Sequence, residues 1–208
     1  LDIQAIFEEL GKATTGSGKL PFKFSNVRGT SEAGAFAVYL WSFRETDLSI
    51  RLQRHEFELR DDLCEDVPAW WLLKKKKTMY FTGTGDARSV RSIMQFMLTP
   101  DNSQAVFAKE ETTFADIQAY MHTLEAPKYP LPIDQELART GAKLFNHNCA
   151  KCHGTYGPNW TYPNKIVPMD VIGTDATRFT GLSRKLGEHY NQTWFAKETR
   201  DGYAALEP

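Results

Sequence analysis

The sequence predicts a mainly α-helical fold with long loops and little strand. Three observations carry this prediction. Apolar residues recur at helical spacing in several windows, no stretch alternates apolar and polar residues for long, and breaks rich in Gly and Pro separate the windows. At 208 residues and 41% hydrophobic, the chain is long enough to bury a core of its own, as one domain or two small ones.

Taken in order, Ile3, Ile6, Phe7 and Leu10 share one helical face, and Gly11 follows as a stop. After a loop rich in Gly, Ser, Pro and Thr, Ser31 is placed to cap the compact apolar helix "EAGAFAVYLWSF", which ends near Arg44. Residues 45 to 68 show no period. "AWWLLKKKKTMYFTGTGD" then combines an aromatic cluster, a lysine run and a glycine turn. Val90, Ile93, Met94 and Met97 predict the next helix. Phe114, Ile117, Tyr120, Met121 and Leu124 predict another, with Thr113 as its cap. "APKYPLPID", with three prolines in nine residues, breaks that helix and reads as a linker. Beyond it, Leu137, Gly141, Leu144 and Phe145 form a helix that runs into a pair of cysteines. The division expected from this pattern is a helical segment over 1–127 and a second unit over 128–208.

Charge excludes some partners. With 25 Lys+Arg against 26 Asp+Glu, the overall balance gives no reason to expect nucleic acid or an anionic membrane. No apolar run approaches the roughly 20 residues that a membrane span requires. The chain starts at Leu1 without a charged-then-apolar leader, so a processed chain or a piece of a longer one is expected.

The chemistry concentrates in "FNHNCAKCHGTYG", residues 145–157. In Cys-x-x-Cys-His, two thiols separated by two residues can add to the two vinyl groups of one haem while the next imidazole reaches its iron. Cys149 and Cys152 would be the anchors and His153 the proximal ligand. Gly154 and Gly157 let the chain turn away. Three other uses of the pair stay open here. Zinc would want two more ligands, for which the chain offers Cys64 and scattered histidines. A redox Cys-x-x-Cys belongs near a strand-to-helix turn, whereas this context is helical. A disulfide across two residues would be strained. The remaining cysteine, Cys64, is expected to be a lone buried or partly buried thiol.

The run "IQAYMHTLEAPKYPLPIDQELARTGAKLFNHNCAKCHGTYG", followed by "VIGTDATR", resembles the second haem domain of bacterial di-haem cytochromes. That superfamily includes the di-haem cytochrome c peroxidases, the methylamine-dehydrogenase maturation enzymes and the haem-containing rubber oxygenases. The likeness is firmest over residues 114 to 181. "DVPAWWLLKKKKTMYFTGTGD" is similar to the inter-haem segment of such proteins, and residues 1 to 67 match only loosely.

The resemblance implies a cytochrome c-like helical domain over 128–208, incomplete at its C-terminus, preceded by the rest of a first haem domain or an inter-haem region. It implies covalent haem c on Cys149, Cys152 and His153, and electrons passed to a second haem outside this chain, to a redox partner protein or to additional chains that complete the fold. It implies a peroxidase-like or oxygenase-like oxidoreductase; the alternative is an electron carrier without catalysis. Thioether attachment takes place outside the bacterial cytoplasm, so a periplasmic or exported location follows. The chain also departs from the family. No Cys-x-x-Cys-His occurs in residues 1 to 148, and the distal aromatic-His-Asx-Gly stretch is missing before the chain stops at "YAALEP". The inter-haem tryptophan position holds Tyr80 and Phe81, with Trp70 and Trp71 nearby, and no Glu-Asn-Pro-like acid is found, Glu110 and Glu111 being the nearest acids.

The sixth iron ligand decides whether such a site only moves electrons or also binds peroxide or dioxygen. Met169 lies sixteen residues past His153, close enough along the chain to reach the opposite face at about 3.3 Å per residue. The competing use, and the commoner one for Met, is to line the apolar crevice. His189 is a second candidate, while His147 sits too close before the motif, and His55 and His122 read as ordinary surface or packed residues. "TTGSGKL" resembles a phosphate loop but lacks the first glycine and the terminal Ser or Thr. Lys74 to Lys77 read as a solvated helix face, as a dock for an acidic redox partner or as partners of haem propionates. The aromatic cluster Trp70, Trp71, Tyr80 and Phe81 is expected to pack in the core, and Asp175 to cap the helix after it.

Overall fold

The computed structural model describes residues 33–58, 69–80, 83, 85–99, 102–181 and 183–198. The expected helix through Ile3 and Leu10, the Ser31 cap, the "TTGSGKL" loop, Cys64, Phe81 and the "YAALEP" tail lie outside the described residues. Among those described, the fold is mainly helical, with one two-stranded hairpin.

Helix α1 (Ala33–Ser42) buries Val38, Tyr39 and Trp41. The chain then closes a small loop through an antiparallel bridge between Arg44 and Ile50. Leu48, left-handed at φ 66°, is wholly buried at its centre. Arg44 is buried too, and its guanidinium donates to the carbonyls of Leu48, Asn102 and Thr99. A buried cation survives because charge-assisted bonds replace its water.

A 3-10 turn (Trp70–Lys75) leads into the hairpin β1 (Thr78–Met79) and β2 (Gly85–Asp86), with Thr78 opposite Asp86. Helix α2 (Val90–Met94) follows, its first turn capped by the Ser89 hydroxyl accepting from Ser92 N. Helix α3 spans Gln104–Thr123, so it begins well before the expected start, and Thr113 lies inside it rather than at its cap. Its inner face carries Phe107, Phe114, Gln118 and Met121, at steps of three, four and seven residues. Ile117 and Tyr120, which helped predict the helix, are exposed.

After the prolines come α4 (Gln135–Asn148), α5 (Ala150–His153), α6 (Met169–Ile172), α7 (Thr177–Thr180) and α8 (Arg184–Tyr190), then a 3-10 turn (Trp194–Lys197). The core gathers Val38, Trp41, Leu48, Val90, Met94, Leu98 and Phe107 with Leu186, Tyr190, Phe195 and Ala196. It joins α8 and the last 3-10 turn to α1, α2 and α3. Each large apolar side chain so buried contributes about 1.5–3 kcal/mol. None of the residues from 125 to 180 belongs to this core. No helix among the described residues is long and apolar enough to cross a membrane.

Candidate functional site

Helix α4 delivers the cysteines. Asp134 caps it, its Oδ1 accepting from Glu136 N (2.9 Å) and Leu137 N (3.0 Å), which satisfies two of the donors a helix start leaves open. Cys149 ends α4 and opens α5: its amide donates to Phe145 O (2.8 Å), and its own carbonyl accepts from Cys152 N (3.1 Å) and His153 N (2.9 Å). Cys149, Cys152 and His153 thus stand at i, i+3 and i+4 of one helical turn, spacings that share a face. Both thiols are free and half-buried, and the His153 ring is exposed. Its neighbour is Phe145, ring centroids 6.4 Å apart, and Phe145 in turn meets Tyr156 at 5.3 Å.

Behind the histidine the chain folds back at once. Gly154, at φ 78° and ψ −169°, adopts a backbone reserved for glycine. A Cβ there would lie 1.9 Å from the carbonyl oxygen of Thr161. That contact is the closure of a loop in which Thr155 N donates to Thr161 O (3.1 Å) and Thr161 N to Thr155 Oγ1 (2.9 Å).

A second clasp ties this loop to the segment before the hairpin. Asn164, left-handed at φ 51°, accepts at Oδ1 from Lys77 N (2.6 Å) and donates from Nδ2 to Lys75 O (3.2 Å). The ammonium of Lys75 lies 4.3 Å from the centre of the Trp160 ring. Asn164 and Trp160 were not singled out by sequence reasoning. An Asn that tolerates φ above zero and offers both a donor and an acceptor is the signal that was available.

The other expected residues fall in several places. Met169 opens α6 and is half-buried, outside the core. His147 sits exposed on the last turn of α4. His189 packs against Trp41, His55 and Phe57 rather than the motif residues among the ring contacts of the described residues. It packs in the core edge at 8% exposure, with ring centroids 4.6 Å from His55, 5.4 Å from Phe57 and 6.3 Å from Trp41. Its Nε2 lacks a hydrogen-bond partner among the described residues, and burial, followed by the nearby His55, holds its pKa below the ordinary value. Glu111 pairs with Arg91 (2.7 Å), whose guanidinium also covers the Trp194 ring. Trp70 and Tyr80 are exposed and Trp71 only half-buried, so the expected core role of these aromatics is not what the fold uses. Asp175 does serve the helix after it, its carboxylate accepting from Thr177 N (2.7 Å), and these hydrogen bonds to Thr177 lower its pKa.

The donor set fits a covalent haem. Two free thiols and an imidazole stand at i, i+3 and i+4 of one helical turn. On α4, Leu137 is 68% exposed and Leu144 60%, on α6 Val171 is 70% exposed, and a Cβ on Gly141 would meet nothing within 4 Å, so these apolar side chains are available to cover a porphyrin. No family model, curated protein or solved structure matches the chain.

Proposed function

We propose that this is a periplasmic or exported c-type haem protein that passes electrons through one covalently bound haem. Cys149 and Cys152 would form the thioethers and His153 would be the proximal iron ligand, with Met169 as the candidate on the opposite side. The observation that carries the reading is the common helical face of these three residues, at the end of an amphipathic helix whose apolar residues stand open to solvent. When bound, haem supplies a one-electron couple whose potential depends on axial ligands and burial. The chain's part is to hold the two thiols and the imidazole on one turn, to fix the exit of that turn through Gly154, and to offer apolar cover.

In its wider setting we propose a di-haem peroxidase-like oxidoreductase whose second haem lies outside this chain. The plain electron-carrier alternative is favoured by one observation: Glu111, one of the two nearest acids, is engaged by Arg91. Spectra separate the two. An oxidoreductase that handles peroxide or dioxygen shifts its absorption when peroxide or cyanide is added in at least one redox state; a closed carrier does not. The haem itself is tested by expression with the c-type maturation machinery: the protein should keep its haem through acid extraction, and a protein that releases it contradicts the proposal.

A further inference from the structure

The lysine run and the loop behind the motif meet in one place. Lys74, Lys75, Lys76 and Lys77 are consecutive, and the two hydrogen bonds of Asn164 to Lys75 and Lys77 bring Lys165, its neighbour in the chain, to the same surface. Five lysines therefore belong to two segments that the Asn164 side chain joins. Lys74 is paired with Glu125, whose carboxyl pKa that bond lowers. Lys75 covers Trp160. Lys76, Lys77 and Lys165 make no ion pair among the described residues. The whole chain is near neutral, at net −1, so this cluster is a local asymmetry rather than part of a generally basic surface.

We propose that Lys75, Lys76, Lys77 and Lys165, on the two segments that Asn164 joins, form with Trp160 the docking surface for the acidic face of a protein electron donor or acceptor. The redox purpose of the surface rests on the haem reading; the docking itself does not. Three features fit this occupant. Trp160 is 44% exposed, seven residues past His153, with the Lys75 ammonium over its ring, and exposed aromatics are enriched among interface anchors. Lysines are hydrated point charges without the planar fork of arginine, which suits steering and quick release better than fixed bidentate recognition of phosphate. The Trp160 ring lies under an ammonium rather than free to enter a bilayer.

The test uses the haem-loaded protein and reduced flavodoxin, an acidic one-electron donor. One electron passes from the donor's flavin to ferric iron, leaving ferrous iron. The second-order rate is followed by stopped flow from about 10 mM to about 500 mM salt, a range over which the screening length falls from ~30 Å to a few ångström. The wild-type rate should fall about tenfold or more with salt. Lys76→Glu with Lys77→Glu and Lys165→Glu should be about tenfold slower at low salt and nearly flat with salt, whereas Lys109→Glu with Lys185→Glu, changed elsewhere on the surface, should behave as wild type. A triple variant with the wild-type rate and salt slope overturns the proposal. Absence of haem absorbance in every protein would mean that the haem reading has failed; binding of the same flavodoxin by calorimetry then decides the docking, which stands if the triple variant loses binding and falls if it does not. Salt-sensitive binding to phosphatidylserine vesicles that the triple variant loses, with flavodoxin untouched by the change, replaces the protein partner with a membrane.

Discussion

Replacing Gly154 with alanine puts a methyl group where the chain has no room. The added Cβ would lie 1.9 Å from Thr161 O, 2.7 Å from Thr161 C and 3.0 Å from Tyr162 Cα. All three are backbone atoms, so no change of rotamer relieves the overlap. The residue must also hold φ 78°, which costs a side chain about 1–3 kcal/mol. The cheaper response is to open the loop. Opening forfeits the bonds from Thr155 N to Thr161 O and from Thr161 N to Thr155 Oγ1, each contributing about 0.5–1.5 kcal/mol net. Their sum, about 1–3 kcal/mol, shifts the opening equilibrium roughly 5- to 150-fold. Amide hydrogen exchange reads this directly: Thr155 and Thr161 should lose protection by that factor, while the amide of Phe107 in the core should not change. An alanine variant that keeps wild-type protection at Thr155 and Thr161 would refute the close approach on which the geometry behind His153 depends.

Three further outcomes are expected. Phe195→Ala, which removes a ring 4.9 Å from Phe107 and 5.5 Å from Trp41, should cost about 3–5 kcal/mol in urea unfolding; a cost under about 1 kcal/mol would detach the last 3-10 turn from the core. Asn164→Gly keeps the left-handed backbone but loses both clasp bonds, so it should speed tryptic cleavage after Lys165, and Asn164→Ala, which adds backbone strain, should speed it more; equal rates in all three proteins would deny the clasp. His189 has a folded pKa below the ordinary 6.5, so its contribution to stability is present above pH 6.5 and is lost as pH falls from there toward the folded value. The urea midpoint should accordingly fall between pH 7.5 and pH 5, with a smaller fall in His189→Phe; the same slope in both would show that His189 does not drive it.

What could be read from the sequence was what is local. The Cys-x-x-Cys-His spacing needs no tertiary information to put three functional groups on one turn, and the Pro-rich break before Asp134 marked the start of α4. The first half of α3 escaped notice because Lys109, Glu110 and Glu111 interrupt the apolar pattern, and Thr113 before an apolar run looks like a cap. Helix α8 offers only Leu186 and Tyr190, one turn apart, and its place in the core depends on Trp41 and Phe107 far away in the chain. The burial of Arg44 was equally hidden, since the carbonyls that accept from it belong to Leu48, Thr99 and Asn102. At the site, the approach of Thr161 to Gly154 and the meeting of Lys165 with the lysine run rest on loop geometry that no period encodes.

Covalent haem is the central claim, and intact mass spectrometry tests it most directly. Protein made with the c-type maturation machinery and freed of loose haem should gain the mass of one haem, and Cys149→Ser with Cys152→Ser should abolish that gain while the fold, read by far-UV circular dichroism, persists. A wild-type mass equal to that of the bare polypeptide, in a folded sample, would contradict the account.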